Sequence, residues 1–243
     1  MDYIVLAAGR GTRLGNLGSY IQKSMYPILE KPFLEYILTS IVTNKYYSPT
    51  SDSIIIVVGH LKATIINYFG ATFSGNNLKY AIQTNSRGTA DALLVGKQAG
   101  CQTCPSIVLQ GDTYVRNNEI ERLIENPYST ALSLAAHYCE NTHNERVDAS
   151  ADLVINAWKG TGPFIDAGLW KVDSTLRFEL SNSREGEARF LPALQELISY
   201  GLKVGYVVRD SWIHLGGTEP STQSNLAEIY RYFLDQEVER DNF

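Results

Sequence analysis

Residues Tyr3 to Ala8 form an unbroken apolar run that stops at Gly9, and Ser53 to Gly59 form a second run rich in β-branched residues. Strands that lack polar alternation are buried on both faces, so a chain containing them has to cover its sheet with helices on either side. The stretches between supply those helices. Pro32-Phe33-Leu34-Glu35-Tyr36-Ile37-Leu38 spaces its apolar residues as a helix does, with proline at the first turn, which predicts a helix to about Thr43. A second helix is expected over about Lys62 to Phe69 and a third from Gly88-Thr89-Ala90, with strands at about Leu78 to Gln83 and Ser106 to Gln110. Strand and helix alternating in steps of roughly 20–30 residues imply parallel right-handed crossovers. The fold class is therefore α/β: a Rossmann-like, three-layer α/β/α arrangement around a mainly parallel central sheet.

The second half is less regular. Strands are expected over Thr130 to His137, Asp152 to Ala157, Phe164 to Val172 and Val204 to Val208, and helices over Phe190 to Tyr200 and Thr222 to Glu239. The polar segment Cys139 to Ala151 reads as a loop that moves over a site. With no long linker, repeat or low-complexity tract, residues 1–243 are expected to form one domain with a first half, 1–115, and a second, 116–243. A net charge of −5 argues against a nucleic-acid partner, which would need a basic face. No apolar stretch approaches the ~18 residues of a membrane span, and no basic leader precedes the first strand, so no membrane partner and a cytoplasmic location are expected. Cys101 and Cys104 have no second pair and no neighbouring histidine to complete a metal site, so they read as part of a loop before a strand.

In an α/β sheet, ligands bind beyond the carboxyl ends of the strands. Leu6-Ala7-Ala8-Gly9-Arg10-Gly11-Thr12-Arg13-Leu14 lies at such an end, as do Gln83 and Asp112. Gly9 and Gly11 let the backbone approach a ligand closely, and successive amides in such a turn make a nest for an anion. Thr12, Arg13 and Lys23 add a hydroxyl, a fork-shaped cation and a point charge, a set suited to polyphosphate. The pattern is neither a P-loop nor a dinucleotide fingerprint, because no lysine directly follows Gly11 and position 14 is leucine. On this loop alone, a plain glycine turn remains the competing reading.

Together with Gln22-Lys23-Ser24-Met25-Tyr26-Pro27-Ile28, Arg87-Gly88-Thr89-Ala90, Gly111-Asp112, Asp166-Ala167-Gly168-Leu169-Trp170 and Trp212-Ile213-His214-Leu215-Gly216, this loop resembles the sugar-1-phosphate nucleotidyltransferases, or NDP-sugar pyrophosphorylases. The match spans about residues 3–220. The resemblance implies a GT-A-like fold, an NTP and a sugar 1-phosphate as substrates, Mg²⁺ as cofactor with Mn²⁺ as the alternative, and often a homo-oligomer. It implies that Arg13, Lys23 and Asp112 are catalytic. Leu6, Ala8, Gly9, Gly11, Thr12, Arg13, Gln83, Gly88 and Thr89 would bind nucleotide, with Gln83 and the backbone near Gly88 reading the base. Lys159, Asp166 and Gly168 would bind the sugar phosphate, and Asp112 and His214 the metal.

The chain departs from the family pattern twice. Asp166 stands where many members have asparagine, which suits a hydroxyl or an amino group on the acceptor. His214 stands where the family has its second metal-binding aspartate, and imidazole suits Mn²⁺ or Zn²⁺ better than Mg²⁺. Three readings follow: Asp112 and the triphosphate hold Mg²⁺ alone, the enzyme prefers a softer ion, or the protein is a catalytically weakened relative. The alternatives to sugar nucleotidyl transfer are a cytidylyltransferase acting on a non-sugar phosphate and a non-catalytic nucleotide-sugar-binding regulator. With the chain ending soon after Trp212, the β-helix that some relatives carry is not expected here.

Overall fold

The computed structural model describes residues 1–136, 146–178, 188–209, 212–215, 227 and 229–235. In chain order its elements are β1 (Asp2–Ala7), β2 (Pro27–Ile28), β3 (Lys31–Pro32), α1 (Phe33–Thr43), β4 (Ser53–Val58), α2 (Lys62–Phe69), β5 (Thr72–Phe73), β6 (Asn76–Ile82), α3 (Thr89–Ala99), β7 (Ser106–Gln110), β8 (Thr113–Tyr114), α4 (Asn117–Glu125), β9 (Ala131–Ala136), β10 (Arg146–Ser150), β11 (Leu153–Asn156), β12 (Phe164–Val172), α5 (Phe190–Ser199), β13 (Gly205–Val208) and β14 (Ile213–His214). Ten of the strands form one sheet in the order β10-β11-β13-β9-β12-β7-β1-β4-β6-β5.

Alternation along the buried strands sorts their side chains into two cores. Tyr3, Val5 and Ala7 of β1, with Ile54, Ile56 and Val58 of β4, pack on the face covered by α1, α2 and α4. Ile4 of β1, with Ile55 and Val57 of β4, packs on the face covered by α3 and α5. This is the expected three-layer arrangement, and among the described residues no helix is long and apolar enough to cross a membrane.

The sheet is more mixed than a mainly parallel reading implies. β7, β1, β4 and β6 run parallel, but β12 lies antiparallel between β7 and β9. The residues expected as a mobile loop also need correcting: Arg146 to Ser150 is strand β10, paired with β11 through a tight turn at Ala151 and Asp152, which have φ of 49° and 69°. Two successive left-handed residues make the turn that matches strand twist, but Ala-Asp lacks the usual asparagine-glycine signal. Residues 139–145 lie outside the described residues, as does most of the expected C-terminal helix, of which 227 and 229–235 are helical. Cys101 and Cys104 are joined in a disulfide in the loop between α3 and β7.

Candidate functional site

β1 delivers the chain to Gly9, and the loop closes through Gly11, which has φ of +64° and opens the 3-10 segment Thr12–Ser19. Gly18 packs so closely behind the loop that a Cβ there would lie 2.4 Å from the Gly11 carbonyl oxygen. The side chain of Arg13 lies outside the described residues. Lys23 is placed by its neighbour: buried Gln22 donates from Nε2 to the Ala7 carbonyl at 2.7 Å and accepts from the Ser24 amide at 2.6 Å, stitching the segment to the end of β1. Lys23 is 7% exposed and its Nζ meets Asp112 Oδ2 at 2.5 Å. Asp112 follows β7 through Gly111, where a Cβ would stand 2.7 Å from Ser24 Oγ. The ion pair therefore joins the ends of two adjacent parallel strands.

A cavity of about 980 Å³ runs along this edge. Leu6, Ala8, Gly9, Gly11, Thr12, Lys23, Gln83, Gly88, Thr89, Asp112 and Asp166, all singled out from the sequence, line it. At the far end Asp166 Oδ1 accepts from Trp170 Nε1 at 2.8 Å and from the Gly168 amide at 3.2 Å, while Gln110 Nε2 approaches Oδ2 at 3.5 Å. These contacts sit where β12 shifts register between Asp166 and Trp170. The irregularity is braced from behind by buried Arg209. Its guanidinium donates to the Ala167 carbonyl at 2.9 Å, to the Tyr114 carbonyl at 2.5 Å and to both carboxylate oxygens of Glu119.

Three of the expected site residues do not line the cavity. Lys159 is exposed and has φ of 58°. Gly168 lies behind the wall, close enough that a Cβ would meet Thr113 Oγ1 at 3.0 Å. His214 pairs with Thr113 in a two-stranded ladder beside Asp112, and its ring stacks on Trp212 at 4.8 Å. Conversely, Trp158, Arg189 and Gln110 line the cavity although no motif marks them. Arg189 arrives because Ala188 hydrogen-bonds across to Arg87 and Ala90, and its guanidinium lies 5.8 Å from the Trp158 ring centre. The turn after Trp158 is fastened by Asp148, which accepts from the amides of Thr161 and Gly162. Hydrogen bonding, above all from Asn156, holds the Asp148 carboxyl below its ordinary value.

The site thus combines a glycine-bordered loop, a lysine-carboxylate pair, a glutamine beside a helix start and a carboxylate among aromatic rings. The model of the nucleotidyl transferase family matches residues 2–146. The bifunctional protein GlmU of Methanococcus maripaludis strain C5 is 30% identical over 227 residues, covering 89% of this chain and 51% of that protein. CMP-5′-(3-aminopropyl)phosphonate synthase of Streptomyces rubellomurinus is 27% identical over 198 residues, 80% of this chain and 30% of that protein. The chain spans about half the length of the GlmU relative and less of the synthase. The solved structure of a UDP-glucose pyrophosphorylase complexed with UDP-glucose has the same fold, with a TM-score of 0.75 at 14% identity over 97% of this chain and 98% of that one.

Proposed function

The chain belongs to the nucleotidyl transferase family, and from that premise we propose that it joins an NTP to a sugar 1-phosphate, or a sugar-like 1-phosphate, giving an NDP-sugar and pyrophosphate. The observation that carries this reading is the Lys23–Asp112 pair on the wall of one continuous cavity that extends from the Gly9–Thr12 loop to Asp166. Such a cavity has room for a triphosphate and an acceptor together, and phosphoryl-type transfer depends on positioning and charge neutralisation more than on covalent help.

In this reading the amides around Gly9 and Gly11, with Thr12, cradle the triphosphate, and Leu6 and Ala8 form the floor under the nucleoside. Gln83, Gly88 and Thr89 meet the base. An acceptor phosphate oxygen attacks the α-phosphorus in line, pyrophosphate leaves on the opposite side, and Arg13 and Lys23 neutralise the charge that builds on the phosphates. Asp166, with Lys159 and Gly168 nearby in sequence, belongs to the acceptor end, where its carboxylate suits a hydroxyl or an amino group.

A divalent cation fits through Asp112. Mg²⁺ commonly takes one or two carboxylates and completes its shell with water and substrate phosphates. Among the described residues no group of three or more His, Cys, Asp or Glu side chains forms a cage on its own, which suits an ion shared with the triphosphate. Bound there, Mg²⁺ or Mn²⁺ would supply further charge neutralisation, with His214 as the proposed second ligand. Cytidylyl transfer to a non-sugar acceptor is the second reading, favoured by the similarity to the aminopropylphosphonate synthase.

The test is pyrophosphate release across ATP, GTP, CTP, UTP and dTTP against a panel of sugar 1-phosphates and aminoalkyl phosphonates, with Mg²⁺ and Mn²⁺ in parallel. At least one pairing of an NTP with a sugar 1-phosphate is expected to release pyrophosphate. In the same panel Asp166→Asn is expected to reorder the acceptors, and His214→Asp to move the Mn²⁺/Mg²⁺ activity ratio toward Mg²⁺. Activity confined to CTP and a phosphonate would establish the second reading. Nucleotide binding with silence in every pairing would mark a binding protein and refute both.

A further inference from the structure

Gln83 directly follows β6 and is 7% exposed. Its Nε2 donates to the Gly88 carbonyl at 3.2 Å and to Asp91 Oδ2 at 2.7 Å. Neither partner offers a donor there, one being a peptide carbonyl and the other a carboxylate. The amide can therefore sit in one sense only, because turning it over would set its oxygen against two other oxygens. With Nε2 committed, Gln83 has its carbonyl oxygen Oε1 left to offer a ligand.

Asp91 stands in the first turn of α3, two residues after Thr89, which with Gly88 lines the same cavity as Gln83. Of the amides at the start of α3, that of Ala90 is taken by the Ala188 carbonyl at 2.9 Å. The end of the cavity thus offers one fixed acceptor beside the backbone of Gly88 and Thr89, and the sense of that acceptor is set by a carboxylate that is not itself among the cavity-lining residues.

We propose that Asp91 is the positioning residue for base selection: it locks the Gln83 amide so that the nucleobase meets a carbonyl oxygen and has to bring a donor to it. The inference rests on the cavity being an NTP site and extends that reading to a residue that acts through Gln83. The property that matters is that Asp91 can only accept. Asparagine in its place has nearly the same size but can turn its own amide, which releases the Gln83 amide from its single orientation. A site built to pair one polar group loses discrimination when that pairing is loosened. A carboxylate that merely favoured the start of α3 would instead change the affinity for every nucleotide alike.

The experiment is calorimetric titration of the whole chain, wild type, Asp91→Asn, Gln83→Ala and the double variant, with ATP, GTP, CTP, UTP, dTTP and pyrophosphate. In the wild type the tightest and weakest nucleotides are expected to differ by roughly a hundredfold, and Asp91→Asn is expected to narrow that gap about tenfold while pyrophosphate affinity stays within about twofold. In the Gln83→Ala background the Asp91→Asn change is expected to have no further effect, since two residues acting as one unit are not additive. An unchanged gap in Asp91→Asn, an equal loss for all six ligands, or an Asp91→Asn effect that persists without Gln83 would overturn the proposal. A wild type that binds all five nucleotides alike would overturn it and leave the NTP site standing. A wild type that binds none would remove the NTP reading as well.

Discussion

Replacing Lys23 by methionine is expected to lower kcat/KM for pyrophosphate release by ~10²–10³-fold, the range seen when one preorganised donor to developing charge is removed. Methionine keeps the length and the apolar stem, so the 7% exposed position stays filled, and what is lost is the charge beside Asp112. The site is walled off from water on the Lys23 side, which makes a single positive charge count for more than it would on the surface. The loss is expected mainly in kcat, because the charge that Lys23 offsets grows as the pyrophosphate departs. Initial rates with saturating NTP and acceptor, alongside direct measurement of NTP affinity, check this. A decrease of less than about fivefold would remove Lys23 from the reaction and leave it as the structural counter-ion of Asp112.

Glu119→Ala is expected to destabilise the fold by ~3–5 kcal/mol, the usual cost of leaving one member of a buried ion pair without the other. The Arg209 and Glu119 side chains are 2% and 6% exposed and meet at 2.8 Å. Glu119 Oε2 also accepts from the Arg116 amide at 2.8 Å and so caps α4. Without Glu119 the guanidinium keeps the Ala167 and Tyr114 carbonyls but has no anion. Those two carbonyls belong to the segments that carry Asp166 and Asp112, so acceptor affinity should weaken along with stability. Chemical denaturation gives the first quantity and acceptor KM the second. The pair Glu119→Leu with Arg209→Met should recover much of the stability and little of the acceptor binding. A single variant within ~1 kcal/mol of wild type would show that the pair is not a brace.

The sequence makes the proposed nucleotide side of the cavity readable because several of its residues stand at or within two residues of a strand end. Gly9 follows β1, Gln83 follows β6 and Asp112 lies just beyond β7, so finding the strands finds the residues. Helix α1 is equally legible from its apolar spacing. The acceptor side was harder, since β12 reaches its place by running antiparallel between β7 and β9, a long-range pairing that no local pattern encodes. Arg209 at the end of a strand looks like a solvated charge until Glu119, far away in sequence, is brought against it. Gln22 reads as an ordinary polar residue, and only the fold turns it into the tie that holds Lys23. Helix α4 carries its signal, Ile120, Leu123 and Ile124 at helical spacing, within a short and highly charged stretch. Trp158 and Arg189 come from irregular segments whose partners are set by tertiary contacts alone.

In the proposed reaction the α-phosphorus of the NTP is the centre attacked. The most direct test is to supply, in parallel, NTP labelled with ³²P at the α and at the γ position, together with the acceptor that supports pyrophosphate release, and to separate the products. Alpha label is expected in the sugar nucleotide and γ label in pyrophosphate. Gamma label in the sugar product would mean phosphoryl rather than nucleotidyl transfer, and γ label released as orthophosphate would mean hydrolysis. Either result would contradict the assignment of the Gly9–Thr12 loop, Lys23 and Asp112 to nucleotidyl transfer.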